Sequence, residues 1–127
     1  MAKAIFMARH NELGKRGEAI AAKHLRAEGY RLLTQNWRYG QQEIDLIAWD
    51  QAEQLLVFVE VKTRSTSYFG YPETAVDLKK QQFLIKAANA YLEGHKLECE
   101  LRFDVIAIIL KDQRVEELTH IKDAVIP

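Results

Sequence analysis

Apolar and polar positions along this chain change period several times, and each change marks a predicted element. From Glu12 to Glu28 the pattern is helical, and Gly29 follows as a C-cap. Tyr30 to Arg38 holds an apolar pair and an aromatic and reads as a strand. Glu43 to Trp49 and Leu55 to Arg64 are rich in Val, Ile, Phe and Trp and predict two further strands. The polar stretch from Asp50 to Gln54 between them is short, as a hairpin loop should be. Ser65 to Pro72, with Gly70 and Pro72, reads as a loop. Thr74 and Asp77 resemble a capping box that opens a helix running to about Leu92, with Gly94 after it. Leu101 to Leu110 is a long apolar strand, and Arg114 to Leu118 a short last one. The order α-β-β-β-α-β-(β) predicts one α/β (α+β) domain with a mixed sheet. Its core spans about 12–110, and 111–127 forms a short strand and tail.

The hairpin register carries the chemistry. With Gln51–Gln54 as the loop, partners across the two strands have numbers summing to 105. Asp45 then faces Glu60, and Glu43 faces Lys62. Side chains alternate along a strand, so these four share one face at the end away from the turn. Ile47, Trp49, Leu56 and Phe58 continue that face toward the turn. The opposite face is apolar: Ile44, Leu46, Ala48, Val57, Val59 and Val61. Opposed carboxylates repel, and a divalent cation such as Mg²⁺, which takes one or two carboxylates plus water and phosphate oxygens, resolves the conflict. A salt-bridge network through Lys62 is the competing reading, but one lysine leaves an acid uncompensated. On the first helix Glu18 lies in a stripe with Gly14, Ala21, Ala22 and Leu25, facing the sheet or half exposed. On the second helix Lys80 projects near Val76, Ala87 and Tyr91, and either snorkels to solvent or points over the hairpin.

Composition sets the outer bounds. The 127 residues include 18 basic and 18 acidic side chains, a net charge of zero, which excludes binding to nucleic acid through bulk positive charge alone. Counted in blocks, the charge alternates. Residues 1–38 have eight basic and three acidic side chains (+5), and 39–60 have five acids and no base (−5). Residues 61–92 have five and two (+3), and 93–127 five and eight (−3). An acidic centre between basic flanks suits a metal site with a phosphate-binding surround. The single Cys99, expected to pack in a strand, excludes a disulfide framework and fits a reducing, cytoplasmic setting. The run Ala4–Ala8 is too short for a signal-peptide core, and no apolar run approaches a membrane span. The histidines, His10, His24, His95 and His120, are scattered in sequence without metal-ligand spacing.

Several strings together carry a family resemblance. Glu43-Ile44-Asp45 followed by Glu60-Val61-Lys62 resembles the bipartite signature of the PD-(D/E)xK nuclease superfamily. The wider set adds Gly17-Glu18, Gly29-Tyr30, Asn36-Trp37, Thr63-Arg64, Phe69-Gly70, Ala75-Val76, Lys80 and Arg102-Phe103-Asp104. This set resembles the YraN-like family of small bacterial proteins, similar in fold to archaeal Holliday-junction resolvases. The resemblance covers about residues 14–109. It implies a restriction-endonuclease-like core and a Mg²⁺- or Mn²⁺-dependent endonuclease acting on DNA, branched or damaged DNA included. Asp45 and Glu60 match the metal-binding carboxylates, with the backbone carbonyl of Val61 as a further ligand. Lys62 matches the lysine that activates water and steadies phosphate charge, and Glu18 the first-helix acid of the resolvase branch. Ile44 departs from the signature's proline. Lys15, Arg16, Arg64, Lys79, Lys80 and Lys86 are candidates for holding the nucleic-acid backbone, while Arg102 and Asp104 read as a structural pair. Two rival readings remain open: a non-catalytic nucleic-acid-binding module that keeps the fold, and a homodimer in which the acidic face is the interface.

Overall fold

The structure, a computed structural model, describes residues 2–65 and 77–124. Two helices and five strands follow in the order α1 (Ala2–Ala27), β1 (Tyr30–Tyr39), β2 (Gln42–Asp50), β3 (Leu55–Arg64), α2 (Leu78–Gly94), β4 (Leu101–Lys111) and β5 (Arg114–Ile121). The predicted order is therefore the observed one. α1 begins at Ala2 rather than Glu12, because its first residues form helix through Ala-rich propensity and carry no breaker, although they lack a clear apolar stripe. It ends as expected: Gly29 adopts φ 89°, and its amide donates to the Arg26 carbonyl at 3.1 Å. α2 is capped by Asp77 itself, whose carboxylate accepts from the Lys80 amide at 2.8 Å. Asp77 has extended backbone, so the helix cannot run back through it to Thr74. Thr74 and most of the expected loop, residues 66–72, lie outside the described residues.

The strands form one mixed sheet in sequential order, β1-β2-β3-β4-β5. β1, β2 and β3 form an antiparallel meander, β3 and β4 run parallel across the α2 connection, and β5 returns antiparallel to β4. Helices cover both faces. α1 packs Ala21, Ala22 and Leu25 onto Leu46, Ala48, Val57, Val59, Ile106 and Ile108. α2 packs Leu84, Ala87, Ala88 and Tyr91 onto Ile47, Leu56, Phe58, Phe103 and Val105. A strand covered on both faces reads as a near-continuous apolar run, and β4 is buried from Arg102 to Leu110, with only Arg102 and Asp104 charged. Cys99 packs against the α2 side of the core from the irregular segment before β4, not from a strand. Among the described residues no helix is long and apolar enough to cross a membrane.

One end of the sheet is held by a buried ionic network. Arg102 and Asp104 do form a structural pair, bidentate at 2.8 and 2.9 Å. The guanidinium also donates to Asp50 (3.1 Å), Glu53 (2.8 Å) and the Tyr30 hydroxyl (2.8 Å), so it ties β4 to the β2–β3 turn and to β1. His120 of β5 meets Asp104 at 2.8 Å and His24 of α1 at 3.2 Å. The fold thus brings together two histidines that are scattered in sequence. Burial alone would raise the carboxyls of Asp50 and Asp104. Hydrogen bonds overcome this, from the Glu53 amide and Arg102 to Asp50 and from His120 and Arg102 to Asp104, and hold both below the usual carboxylate range.

Removing one partner of such a group strands the others. Arg102→Met is expected to cost roughly 3–5 kcal/mol in urea unfolding at pH 7. A depressed folded pKa gives stability that is present above the unfolded value and lost as pH falls through the folded one. The gap between wild type and variant should therefore narrow as pH drops below about 4.

Candidate functional site

β2 and β3 pair from Asp50 and Leu55 to Leu46 and Val59, in the predicted register with partner numbers summing to 105. The ladder stops one step before Asp45 and Glu60. There the Val61 amide donates instead to the Asp45 carboxylate, at 2.7 Å. In extended backbone the N–H and C=O of one residue leave the strand on the same edge, so the Val61 carbonyl also faces the Asp45 side. The other edge of β3 stays paired with β4 as far as Arg64 and Ile109, which keeps the strand rigid where its β2 edge is open.

The side-chain alternation of β2 breaks at the same point. Leu46 and Ala48 pack on the α1 side as expected, but Ile44 packs on the α2 side with Ile47 and Phe58. The apolar face predicted to include Ile44 therefore ends at Leu46. Between the β1–β2 pairs Gln35–Leu46 and Trp37–Ile44, the residue facing Asp45 is Asn36, which has φ 51°. Asparagine tolerates that left-handed conformation better than most residues. The Asn36 side-chain amide donates to Glu18 at 3.1 Å, joining α1 to the irregular step. Glu43 pairs with Arg38 of β1 at 3.2 Å, and its expected place opposite Lys62 falls beyond the ladder.

α1 reaches the open edge because Gly17 has no side chain. A Cβ there would lie 1.9 Å from the Thr63 hydroxyl, so only glycine allows this approach. Glu18, the next residue, lines a cleft of about 300 Å³ with Leu13, Gly14, Val61, Lys62, Thr63 and Arg64. Three carboxylates thus act on one another: Glu18 from α1, Asp45 from β2 and Glu60 from β3. Burial pushes the Asp45 carboxyl up to about 7, with the charges of Glu60 and Glu18 adding to it, against the Val61 amide and Lys80. Burial also raises Glu60, against the opposing pull of Lys80 and Lys62. Glu60 Oε2 is buried with no hydrogen-bond partner, and Lys80 Nζ stands 3.6 Å from it. Lys80 therefore points to the hairpin rather than to solvent.

The remaining cations divide by position. Lys62 and Arg64 line the cleft. Lys15 and Arg16 are exposed on α1 beside Gly14 and Gly17, and Arg16 donates to the Gln113 carbonyl in the β4–β5 turn. Lys79 and Lys86 are exposed on α2, with no contact that brings them to the carboxylates. Asn36, Gly17 and Thr63 complete the site and were not distinguished by residue chemistry. Only the Gly17-Glu18, Asn36-Trp37 and Thr63-Arg64 strings of the family pattern mark them.

The donors suit a hard cation. Among the described residues no three His, Cys, Asp or Glu side chains are grouped closely enough to hold a metal on their own. Asp45, Glu60 and the Val61 carbonyl are an all-oxygen set that needs water or phosphate oxygens to complete it, which is the pattern of Mg²⁺ rather than of zinc. The orphaned Glu60 Oε2 is an acceptor already desolvated for such a ligand.

The sequence profile of a family described as "Uncharacterised protein family UPF0102" matches residues 17–108, which include every carboxylate of this site. A UPF0102 protein of Christiangramia forsetii is 48% identical over 118 residues, covering 93% of this chain and 97% of the relative. One from Flavobacterium psychrophilum is 45% identical over 118 residues, with the same coverage. One from Bacteroides thetaiotaomicron is 44% identical over 121 residues, covering 95% and 98%.

Two outcomes follow from the geometry. A carboxyl whose folded pKa is raised stabilises the fold fully below its unfolded value, and that contribution is lost as pH rises through the folded value, here about 7. In EDTA, Asp45→Asn should therefore match wild type near pH 4 and exceed it at pH 8 by roughly 2–4 kcal/mol in thermal or urea unfolding. Gly17→Ala should force α1 away from Thr63 and lower stability by about 1–3 kcal/mol in the same measurement.

Proposed function

We propose that this chain, which belongs to the uncharacterised protein family UPF0102, is a metal-dependent endonuclease hydrolysing phosphodiester bonds in DNA, branched or damaged DNA included. The observation that supports this most directly is the pair Asp45 and Glu60 at an opened strand edge, with one Glu60 oxygen buried and unbonded. No purely structural role calls for that arrangement, since it sets two desolvated acids against each other.

Asp45, Glu60 and the Val61 carbonyl would hold the cation. Mg²⁺ or Mn²⁺ bound there supplies polarisation of a phosphoryl oxygen and a lowered pKa for the attacking water. Asp45 stays in place through the Val61 amide, so its second oxygen can turn toward a ligand. Lys62, in the cleft beside Glu18, is placed to steady negative charge on the phosphate as water adds to phosphorus and the bridging P–O bond breaks. Glu18, oriented by Asn36, lines the same cleft and could accept a hydrogen bond from the attacking water. Arg64, with Lys15 and Arg16 on the adjoining helix surface, offers backbone phosphate contacts, while Lys79 and Lys86, on α2 across the sheet, would serve only a separate stretch of backbone.

A second reading, a nucleic-acid-binding module that keeps the nuclease fold without activity, is favoured by one observation: the lack among the described residues of a three-ligand metal group. Nicking of branched DNA in Mg²⁺ or Mn²⁺ separates the two. Wild type should nick and EDTA should abolish the activity, while Asp45→Asn, Glu60→Gln and Lys62→Met should each lower the rate at least 100-fold. Equal rates in all four proteins would overturn the assignment. DNA binding without cation binding or nicking would establish the module instead.

A further inference from the structure

α2 opens with charge of the wrong sign for a helix. Its first turn has no acidic residue, and Lys79 and Lys80 follow one residue after the Asp77 cap. The N-terminal end of the helix dipole is positive, so cations there are unfavourable unless something else holds them. A lysine in that position reaches its lowest cost by extending into water. Lys79 is exposed and does so. Lys80 turns inward: its side chain is only 28% exposed, its ammonium lies 5.1 Å from the centre of the Phe83 ring, and its Nζ is 3.6 Å from Glu60 Oε2.

The contact with Glu60 is an ion pair without a hydrogen bond, since 3.6 Å is too long for one and the oxygen has no other partner. The ammonium therefore occupies the neighbourhood where positive charge is needed without saturating the acceptor. We infer that Lys80 is the resident counter-ion of the Asp45–Glu60 pair, holding the carboxylates together in the cation-free protein and giving way to a divalent cation. This rests on the metal-binding reading proposed above and adds to it a competition inside the site. Lys80 is a positioning residue in this account, acting through Glu60. Glu18, Asp45 and Glu60 face it as acids, and Lys62 acts on the same Glu60 from β3. A doubly charged ion arriving among these carboxylates repels an ammonium a few ångströms away. The face of Phe83, 5.1 Å from the ammonium, would stabilise that head as it withdraws from Glu60.

Competition has a signature that ordinary destabilisation lacks: removing the lysine charge improves cation binding while weakening the cation-free fold. The test is calorimetric titration of Mn²⁺ at pH 8 and low salt into wild type, Lys80→Met, Lys80→Gln and Lys80→Arg, with thermal unfolding in EDTA and in Mn²⁺. Both neutral variants should bind Mn²⁺ roughly five- to tenfold more tightly than wild type, and Lys80→Arg should stay within about twofold. In EDTA the neutral variants should melt below wild type, and Mn²⁺ should raise their melting temperature by more than it raises that of wild type. Unchanged or weaker binding in both folded neutral variants, with wild type binding normally, would overturn the counter-ion role and leave the metal site standing. Absence of Mn²⁺ binding in wild type and all variants would overturn both, at the level of the metal reading. Binding that appears only in the neutral variants would support the competition in its strongest form.

Discussion

Beyond Leu46 and Val59 the backbone ladder of β2 and β3 gives way to a side-chain bond, the Val61 amide donating to Asp45, and the rest of the site depends on that exchange. Continued pairing would consume the Val61 amide and carbonyl and leave Asp45 and Glu60 as an opposed pair on one covered face. Opening the edge turns Asp45 into the plane of the sheet, so that it meets the α1 side through Glu18 and the α2 side through Glu60 and Lys80. The step is made possible by two residues with unusual backbone demands. Asn36 accepts a left-handed conformation opposite Asp45, and Gly17 lets α1 lie against Thr63. Neither acts chemically, yet both set where the acids converge.

The two ends of the sheet handle buried charge in opposite ways. At the β2–β3 turn, Arg102 satisfies Asp104, Asp50, Glu53 and Tyr30 together, and hydrogen bonds overcome the cost of burial. The Asp50 and Asp104 carboxyls sit below their ordinary pKa, as expected of acids with a permanent, well-bonded partner. At the open end burial prevails and raises the Asp45 and Glu60 carboxyls, and the Lys80 ammonium stands 3.6 Å from a Glu60 oxygen that has no hydrogen bond. Both groups use the same residue types on one rigid sheet. What separates them is saturation: one network is complete within the protein, and the other leaves the buried Glu60 Oε2 without a hydrogen bond.

Much of this was legible in the chain. Strand-rich composition and a short polar loop sufficed to place β2 and β3, and the hairpin register followed by counting, because side chains in a ladder have a period of two. Counting also put Asp45, Glu60 and Lys62 at the end away from the turn. It failed where the period itself fails: Ile44 crosses to the α2 side and Glu43 turns to Arg38, since regular alternation cannot anticipate an opened edge. The meeting of His24 and His120 was equally out of reach. It is a tertiary contact between the first helix and the last strand, and it leaves no local pattern. The longer α1 reflects helix propensity, to which a reading based on apolar periodicity is blind.

The net charge of zero takes its meaning from the cleft. Under the proposed activity the site would receive a cation and then a polyanion, and a strong field of either sign would repel one of the two. Around this cleft Glu18, Asp45 and Glu60 stand against Lys62, Lys80 and Arg64, three acids and three bases. Asp45 and Glu60 are the desolvated acids of this set, so under the proposed activity a cation would be the first ligand favoured. Its two charges would leave the cleft positive, and the surface would favour phosphate only after it. On that reading local neutrality would impose an order of binding, cation before phosphate. The alternation of charge along the chain, averaging to nothing overall, is how a single domain brings that balance to one strand edge.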